Sequence, residues 1–291
     1  AAEEPGGRRV LAFSGDIGPR GTPILRDPVP VPRADLVLLE STYGGREHRE
    51  RQATLDEIRD VLEHAWADQG NVIIPAFAVG RSQELLYWFA RHWDDWQMSR
   101  WKIFLDSPMA SKVTEVYDRH VDLFDSKARD VWRGQPHPFR LPNLRYTESV
   151  EESRGINAHE RGAIIIAGAG MCNGGRIRHH LRQNLGRRQA HLMFVGYQSR
   201  GTLGRRLVDG APHVKMLGEE IQVNAQRHTV GGLSAHADQP GLLDWYSGFA
   251  NKPPVVLVHG EDDAREALAK VMRADLQAEV MLSRPGMEVE V

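Results

Sequence analysis

At 291 residues the chain can bury a substantial core and has room for one large domain or two medium ones. Its 41% hydrophobic and 26% charged residues are ordinary for a globular protein, and no run approaches the roughly 18 apolar residues of a membrane-spanning helix. A net charge of −2 excludes a protein that coats nucleic acid through bulk positive charge, and the single cysteine, Cys172, excludes an internal disulfide framework and fits a reducing, cytoplasmic setting. Only six of the 37 basic residues are lysine; the arginine bias suits bidentate phosphate contacts, but a GC-rich genome also explains it, so composition leaves a nucleic-acid substrate open.

Arg8 to Phe13 and Asp35 to Leu39 read as short buried strands, separated by a Gly- and Pro-rich loop from Gly18 to Pro32. Leu55, Ile58, Leu62 and Trp66 recur at helical spacing, with Gly70 just beyond the expected helix end. Asn71 to Phe77 reads as a strand, followed by a helical face of Leu85, Leu86 and Phe89. A strand over Lys102 to Leu105 and a helix over Ala110 to His120 come next. From Phe124 to Asn157 periodicity is weak, which predicts irregular structure with short helices. Strands are expected at Ala163 to Ala167, His191 to Gly196 and Pro254 to Val258, the last followed by a helix over Ala264 to Leu276. Such alternation implies an α/β fold with parallel sheets flanked by helices.

Polar residues stand directly after several of these apolar runs. Asp16 follows the first, Glu40 the second and His259 the last before the C-terminal helix, while His236 lies in the loop GGLSAHAD. Reactive groups in open α/β sheets gather beyond the carboxyl ends of strands, and two carboxylates with two imidazoles can bind divalent metal and move protons. A carboxylate in this position is also a common helix N-cap, and a histidine a common structural hydrogen-bond donor. Position alone therefore leaves an α/β enzyme with a metal-dependent option.

The local strings go further. Phe13-Ser14-Gly15-Asp16, Glu40-Ser41-Thr42-Tyr43-Gly44, Ser234-Ala235-His236-Ala237-Asp238 and Val258-His259-Gly260-Glu261 resemble, in order, the fourth metallo-β-lactamase motif and motifs A, B and C of the metallo-β-lactamase/β-CASP nucleases. Ile74 to Arg81, Asp106 to Ala110, Gly170-Met171 with Gly174-Gly175-Arg176, and Gly196-Tyr197 agree with the same family, so the resemblance runs from about Val10 to the end.

The resemblance implies a partial αββα metallo-β-lactamase domain (residues 1–45 and 231–291) interrupted by a β-CASP domain (46–230), with the active site in the cleft between them. It implies a zinc-dependent ribonuclease with endonucleolytic and 5′→3′ exonucleolytic action. Asp16 would bridge two zinc ions, His259 would complete the second ion's shell, and the ions would activate the attacking water. His236, held by Glu40, would protonate the leaving 3′ oxygen. Histidine at position 259 favours the family's RNA branch over its DNA-repair branch. Arg81, Ser107, Gly170, Arg176 and Tyr197 are candidate contacts for RNA phosphate, with the glycine-rich loop Gly168 to Gly175 opening a basic helix. His179 and His180, adjacent on that helix, point about 100° apart and are expected to be partly exposed rather than joint ligands. Cys172 is expected to be an ordinary loop thiol.

The family's principal ligand motif, His-x-His-x-Asp-His, is absent from the sequence. Asp16 and His259 cannot fill even one zinc shell, so an N-terminal half of the metallo-β-lactamase domain is expected to supply the rest, and the chain alone is expected to be inactive. Without that half, apolar sheet surface would be exposed and a homodimer is expected. A non-catalytic RNA-binding or scaffold paralogue and a DNA-repair nuclease of the same superfamily remain as alternatives.

Overall fold

A computed structural model describes residues 9–134 and 136–290. In chain order the elements are β1 (Leu11–Phe13), β2 (Leu36–Glu40), α1 (Arg51–Ala67), β3 (Val72–Pro75), α2 (Arg81–Arg91), β4 (Lys102–Asp106) and α3 (Pro108–Arg119). Then come α4 (Ser126–Arg133), β5 (Leu144–Tyr146), α5 (Val150–Gly155), β6 (Ala163–Ala167), α6 (Ile177–Asn184), β7 (His191–Phe194) and α7 (Leu203–Val208). The chain finishes with β8 (His213–Met216), β9 (Glu219–Gln222), β10 (Gln226–Thr229), α8 (Gln239–Ser247), β11 (Val255–Val258), α9 (Asp262–Asp275) and β12 (Val280–Leu282). No helix among the described residues is long and apolar enough to cross a membrane.

The chain divides into two compact units: residues 1–22, 26–48 and 234–291 form one, and residues 23–25 and 49–233 form the other. In the first, β1, β2, β11 and β12 make a wholly parallel four-stranded sheet in that order. Alternate residues Ala12, Val37, Leu39, Val255, Leu257 and Val280 point to one face. There they bury against Leu242, Trp245 and Tyr246 of α8 and Leu268, Ala269 and Met272 of α9. Burying each large side chain contributes roughly 1.5–3 kcal/mol. Leu11 and Phe13, with the opposite parity on β1, are exposed. Because all four strands run the same way, their carboxyl ends share one edge of the sheet.

The second unit carries a six-stranded parallel sheet, order β10-β7-β3-β6-β4-β5, and an antiparallel hairpin of β8 and β9. Its inner strands are continuous apolar runs because both faces are covered. Ile74, Ile103, Leu105, Ile164 and Ile166 meet Leu55, Ile58 and Leu62 of α1 and Leu85, Leu86 and Phe89 of α2. Ile73, Leu192 and Phe194 meet Ile177 and Leu181 of α6 and Leu207 of α7 on the other side.

Three details differ from the sequence expectation. Trp66 does not join the buried face of α1; it is exposed near the helix end, edge-on to Trp101 at 5.3 Å and with the Arg100 guanidinium 4.8 Å from its ring centre. The left-handed residue after α1 is Gln69 (φ 53°), not Gly70. Glycine is needed at 70 for another reason: a Cβ there would lie 1.6 Å from the Gln189 carbonyl oxygen. The weakly periodic stretch after Phe124 does contain short helices, α4 and α5, but also the edge strand β5.

Candidate active site

Asp16, Glu40, His236 and His259 all belong to the first unit. Glu40 ends β2 and pairs in register with Val258, the last residue of β11, so His259 follows one step beyond the same sheet edge. Three side chains knit this edge together. Ser41 Oγ donates to the Val258 carbonyl at 2.8 Å, Thr42 Oγ1 donates to the His259 carbonyl at 3.0 Å, and the Glu40 N–H donates to Ser14 Oγ at 3.0 Å. His259 sits in the left-handed region (φ 51°), and Gly260 follows with its Cα so close to Ser41 that a Cβ would fall 2.5 Å from Ser41 Oγ. This close approach explains the glycine of His259-Gly260.

Glu40 is 1% exposed, and its carboxylate is held by main-chain donors: Ile17 N–H at 2.8 Å and Thr42 N–H at 3.3 Å. The Nδ1 of His236 faces both carboxylate oxygens, at 3.1 and 3.0 Å. A carboxylate only accepts, so the proton lies on Nδ1 and Nε2 is the nitrogen left for chemistry. Burial works against a charged His236 ring, but the hydrogen bond and charge of Glu40, reinforced by the charge of Asp16, outweigh it and hold the pKa above its ordinary value.

Donor atoms of Asp16, His236 and His259 lie within 4.8 Å of one another, and the Asp16 carboxylate is 3.5 Å from His259 Nε2. Both Asp16 and His259 are exposed. One carboxylate and two imidazoles form a donor set suited to zinc, with three groups converging among the described residues where a tetrahedral ion takes four. The arrangement can place a divalent cation beside an imidazole whose other nitrogen is fixed on a buried carboxylate.

Further residues of this unit support the cluster without having been assigned a role from sequence. His48 Nε2 lies 2.8 Å from the His236 carbonyl oxygen, and the His48 N–H donates to Asp238 Oδ2 at 3.0 Å. Asp238 Oδ1 accepts from Gly241 N–H at 3.0 Å and so caps α8.

Arg81, Ser107, Gly170, Arg176 and Tyr197 all belong to the second unit. They lie at or just past the carboxyl ends of β3, β4, β6 and β7, which are neighbours in the sheet. Their side chains are differently committed. Arg81 is buried and ion-paired with Glu84, and Ser107 Oγ accepts from Ala110 N–H at 3.2 Å as the N-cap of α3. Arg176 turns inward: it donates to Asp106 Oδ1 at 2.7 Å and to the carbonyls of Thr147 and Glu148 at 3.0 and 2.6 Å. Asp106, fully buried, also accepts from Thr147 Oγ1 (2.5 Å), Ser153 Oγ (2.6 Å) and His180 Nε2 (2.5 Å). The expectation that His180 is partly exposed is therefore corrected: the Asp106 carboxylate draws it inside, while its neighbour His179 stays exposed. Cys172 is buried and its thiol is pushed up to about 12 by that burial, as expected of an unreactive loop thiol.

Comparison with known proteins bears on the same elements. Residues 82–207 match the Beta-Casp domain, and residues 220–283 match the Zn-dependent metallo-hydrolase RNA specificity domain. The chain belongs to the β-CASP metallo-β-lactamase family. Among β-CASP relatives it is similar to Ribonuclease TTHA0252 of Thermus thermophilus, 43% identical over 283 residues, covering 97% of this chain and 64% of that protein. It is also similar to Transcription termination factor FttA of Pyrococcus abyssi, 30% identical over 239 residues (79% of this chain, 37% of that protein). The same factor from Cenarchaeum symbiosum is 30% identical over 254 residues (83% and 39%). The chain thus spans under two thirds of the length of these relatives.

Proposed function

We propose that this β-CASP chain is part of a metal-dependent ribonuclease that hydrolyses RNA phosphodiester bonds, endonucleolytically and in the 5′→3′ exonucleolytic direction. The carrying observation is the His236 imidazole, fixed through Nδ1 on the buried Glu40 carboxylate and grouped with Asp16 and His259. The ribonuclease name of the Thermus relative and the description of the domain matched at 220–283 support RNA as substrate.

In this reading Asp16 and His259 would hold zinc, and the Asp16 carboxylate would have an oxygen to offer each of two ions. Bound there, the metal would supply Lewis acidity toward the phosphate and lower the pKa of water. His236, protonated on Nε2 as well as on Nδ1, gives its Nε2 proton to the 3′ oxygen as the P–O bond breaks, while Glu40 stabilises the imidazolium. The residue-49-to-233 unit would be the β-CASP domain and the other unit the metallo-β-lactamase part. Arg81, Ser107, Gly170, Arg176 and Tyr197 mark the sheet end facing RNA; Arg176 would act there by holding the loop. A cytoplasmic setting and self-association through Leu11 and Phe13 belong to the same proposal; sedimentation as a monomer at every concentration would remove the latter.

A second reading has its own observation, since a His236 ring nitrogen lies within 4.8 Å of donor atoms of both Asp16 and His259. A carboxylate–histidine pair is a common way to orient a metal-bound imidazole. The full-length protein should cleave an end-labelled RNA but not the matched DNA strand, and a chelator should abolish cleavage. His236→Ala with metal stoichiometry intact and cleavage lost supports the acid, and loss of metal supports the ligand. Equal cleavage of RNA and DNA would overturn RNA specificity.

A further inference from the structure

We propose that His48 is a positioning residue for His236. His236 lies in a loop between β10 and α8, outside any strand, so no sheet ladder fixes its main chain. Its N–H donates to Ser234 Oγ at 3.0 Å, a contact local to the loop. The next residue, Ala237, is tied through its N–H to the Ile17 carbonyl at 2.5 Å. The His236 carbonyl itself is held from outside the loop by His48 Nε2 at 2.8 Å, across 188 residues of sequence.

A carbonyl oxygen only accepts, so His48 carries its proton on Nε2 and donates. The donor is itself well anchored. The His48 N–H is bound by Asp238, Tyr43 bridges to Asp238 in parallel register, and the His48 ring packs edge-on against Tyr43 at 4.7 Å. Glu40 fixes one end of the imidazole, but the two nearly equal oxygen distances leave the ring able to slide along the carboxylate if its Cα moves. His48 removes that freedom by holding the carbonyl side of the His236–Ala237 peptide, whose N–H side is held by the Ile17 carbonyl. Glu40 sets the tautomer and His48 sets the reach of Nε2.

The test compares His48→Gln with His48→Asn and His48→Ala. A glutamine amide places a donor where Nε2 stands, whereas asparagine reaches only about as far as Nδ1. The first readout is the His236 Nδ1–H resonance in nitrogen-edited NMR of this chain, which does not depend on the ribonuclease reading. It should persist as one sharp signal in the wild type and in His48→Gln, and broaden or split in His48→Asn and His48→Ala. The second readout rests on His236 being the acid: in the full-length protein, kcat for RNA cleavage should fall about ten- to a hundredfold in His48→Asn and His48→Ala at unchanged KM. His48→Gln should stay within about threefold of wild type, since the donor is kept. An unchanged Nδ1–H signal in His48→Ala, or Asn and Gln variants that behave alike, would overturn the proposal. A normal NMR pattern with no RNA cleavage by the wild type would instead remove the ribonuclease reading and leave the positioning role standing.

Discussion

Replacing Glu40 by glutamine changes one atom of the site and tests its central pair. In the wild type the carboxylate accepts from Ile17 N–H, Thr42 N–H and His236 Nδ1. A glutamine can keep its carbonyl on Ile17, the shorter main-chain contact, and must then turn its NH2 toward Thr42 and His236. The NH2 cannot accept from Thr42 N–H, a long bond at 3.3 Å, so stability should fall by only about 1–3 kcal/mol. The chemical effect is larger. The amide oxygen kept on Ile17 still lies 3.1 Å from Nδ1, but the NH2 at the other position repels Nδ1–H, so the Nδ1–H bond is weakened and the imidazolium loses its counter-charge. Burial lowers the His236 pKa and Glu40 raises it, so in Glu40→Gln burial wins and the pKa drops below its ordinary value. NMR titration of the chelator-treated chain reads both changes, through the Nδ1–H signal and through the pH at which the ring carbons shift. In the full-length protein, kcat should fall by roughly 10²–10⁴. An identical His236 titration in wild type and Glu40→Gln would refute the electrostatic argument, whatever happens to the rate.

Other groups give independent checks. Asp106→Asn leaves Arg176 and His180 facing a neutral amide in a buried site and should cost about 3–5 kcal/mol in urea unfolding; a loss under about 1 kcal/mol would contradict a stabilising role for the Asp106 carboxylate. Burial opposes ionisation of Asp106, but hydrogen bonds from His180, Ser153, Thr147 and Arg176 outweigh it and hold its pKa well below the usual range. This lowered pKa stabilises the fold fully above about pH 3.9, and that stabilisation is lost as acid protonates the carboxylate; the Asn variant should lack this acid limb. His228, stacked on His191 with 3.0 Å between their nitrogens, is pushed down to about 4 by burial and then by the charges of His191 and His64. The unfolded chain therefore takes up a proton first, and stability should fall on the order of 2–3 kcal/mol as pH drops from about 6.5 to 4, with His228→Phe flattening that slope. Gly260→Ala, which would force a Cβ against Ser41, should destabilise the fold by about 1–3 kcal/mol, read as a lowered thermal midpoint; an unchanged midpoint would show that the strand ends can separate freely.

Why some of this could be read from sequence and some could not follows from the kind of contact involved. Asp16, Glu40 and His259 stand after apolar runs, and a run buried on at least one face of a parallel sheet delivers whatever follows it to one edge, so their convergence was predictable from pattern and topology. His236 follows no strand; only the string around it pointed to the site, and its fixing depends on segments near residues 17, 40 and 48 that leave no periodic trace. His48 was silent for that reason: its partner is a main-chain oxygen, which any residue type presents. Arg176 shows the converse. On sequence it belongs to a basic helix start, and only the burial of Asp106 at the end of β4 reveals that its charge is spent inside. The strand β10, Gln-Arg-His-Thr, escaped notice because it pairs along one edge only and stays mostly exposed, so hydrophobic alternation had nothing to record.

These contacts also order the site by rigidity. Glu40 is the fixed point, a buried group at a strand end with two main-chain donors, and His236 is located relative to it by its own ring and by His48. Asp16 and His259 are both exposed, and Asp16 sits past a three-residue edge strand. Under the roles proposed above, a proton donor held more tightly than the metal ligands beside it would imply a division of labour: the pair Glu40–His236 should keep its geometry in this chain without metal, whereas Asp16 and His259 should need a cation to fix theirs. Adding zinc to the chelator-treated chain should therefore shift the resonances of His259 more than the Nδ1–H signal of His236. The opposite order would make His236 the primary ligand and displace it from the acid's role.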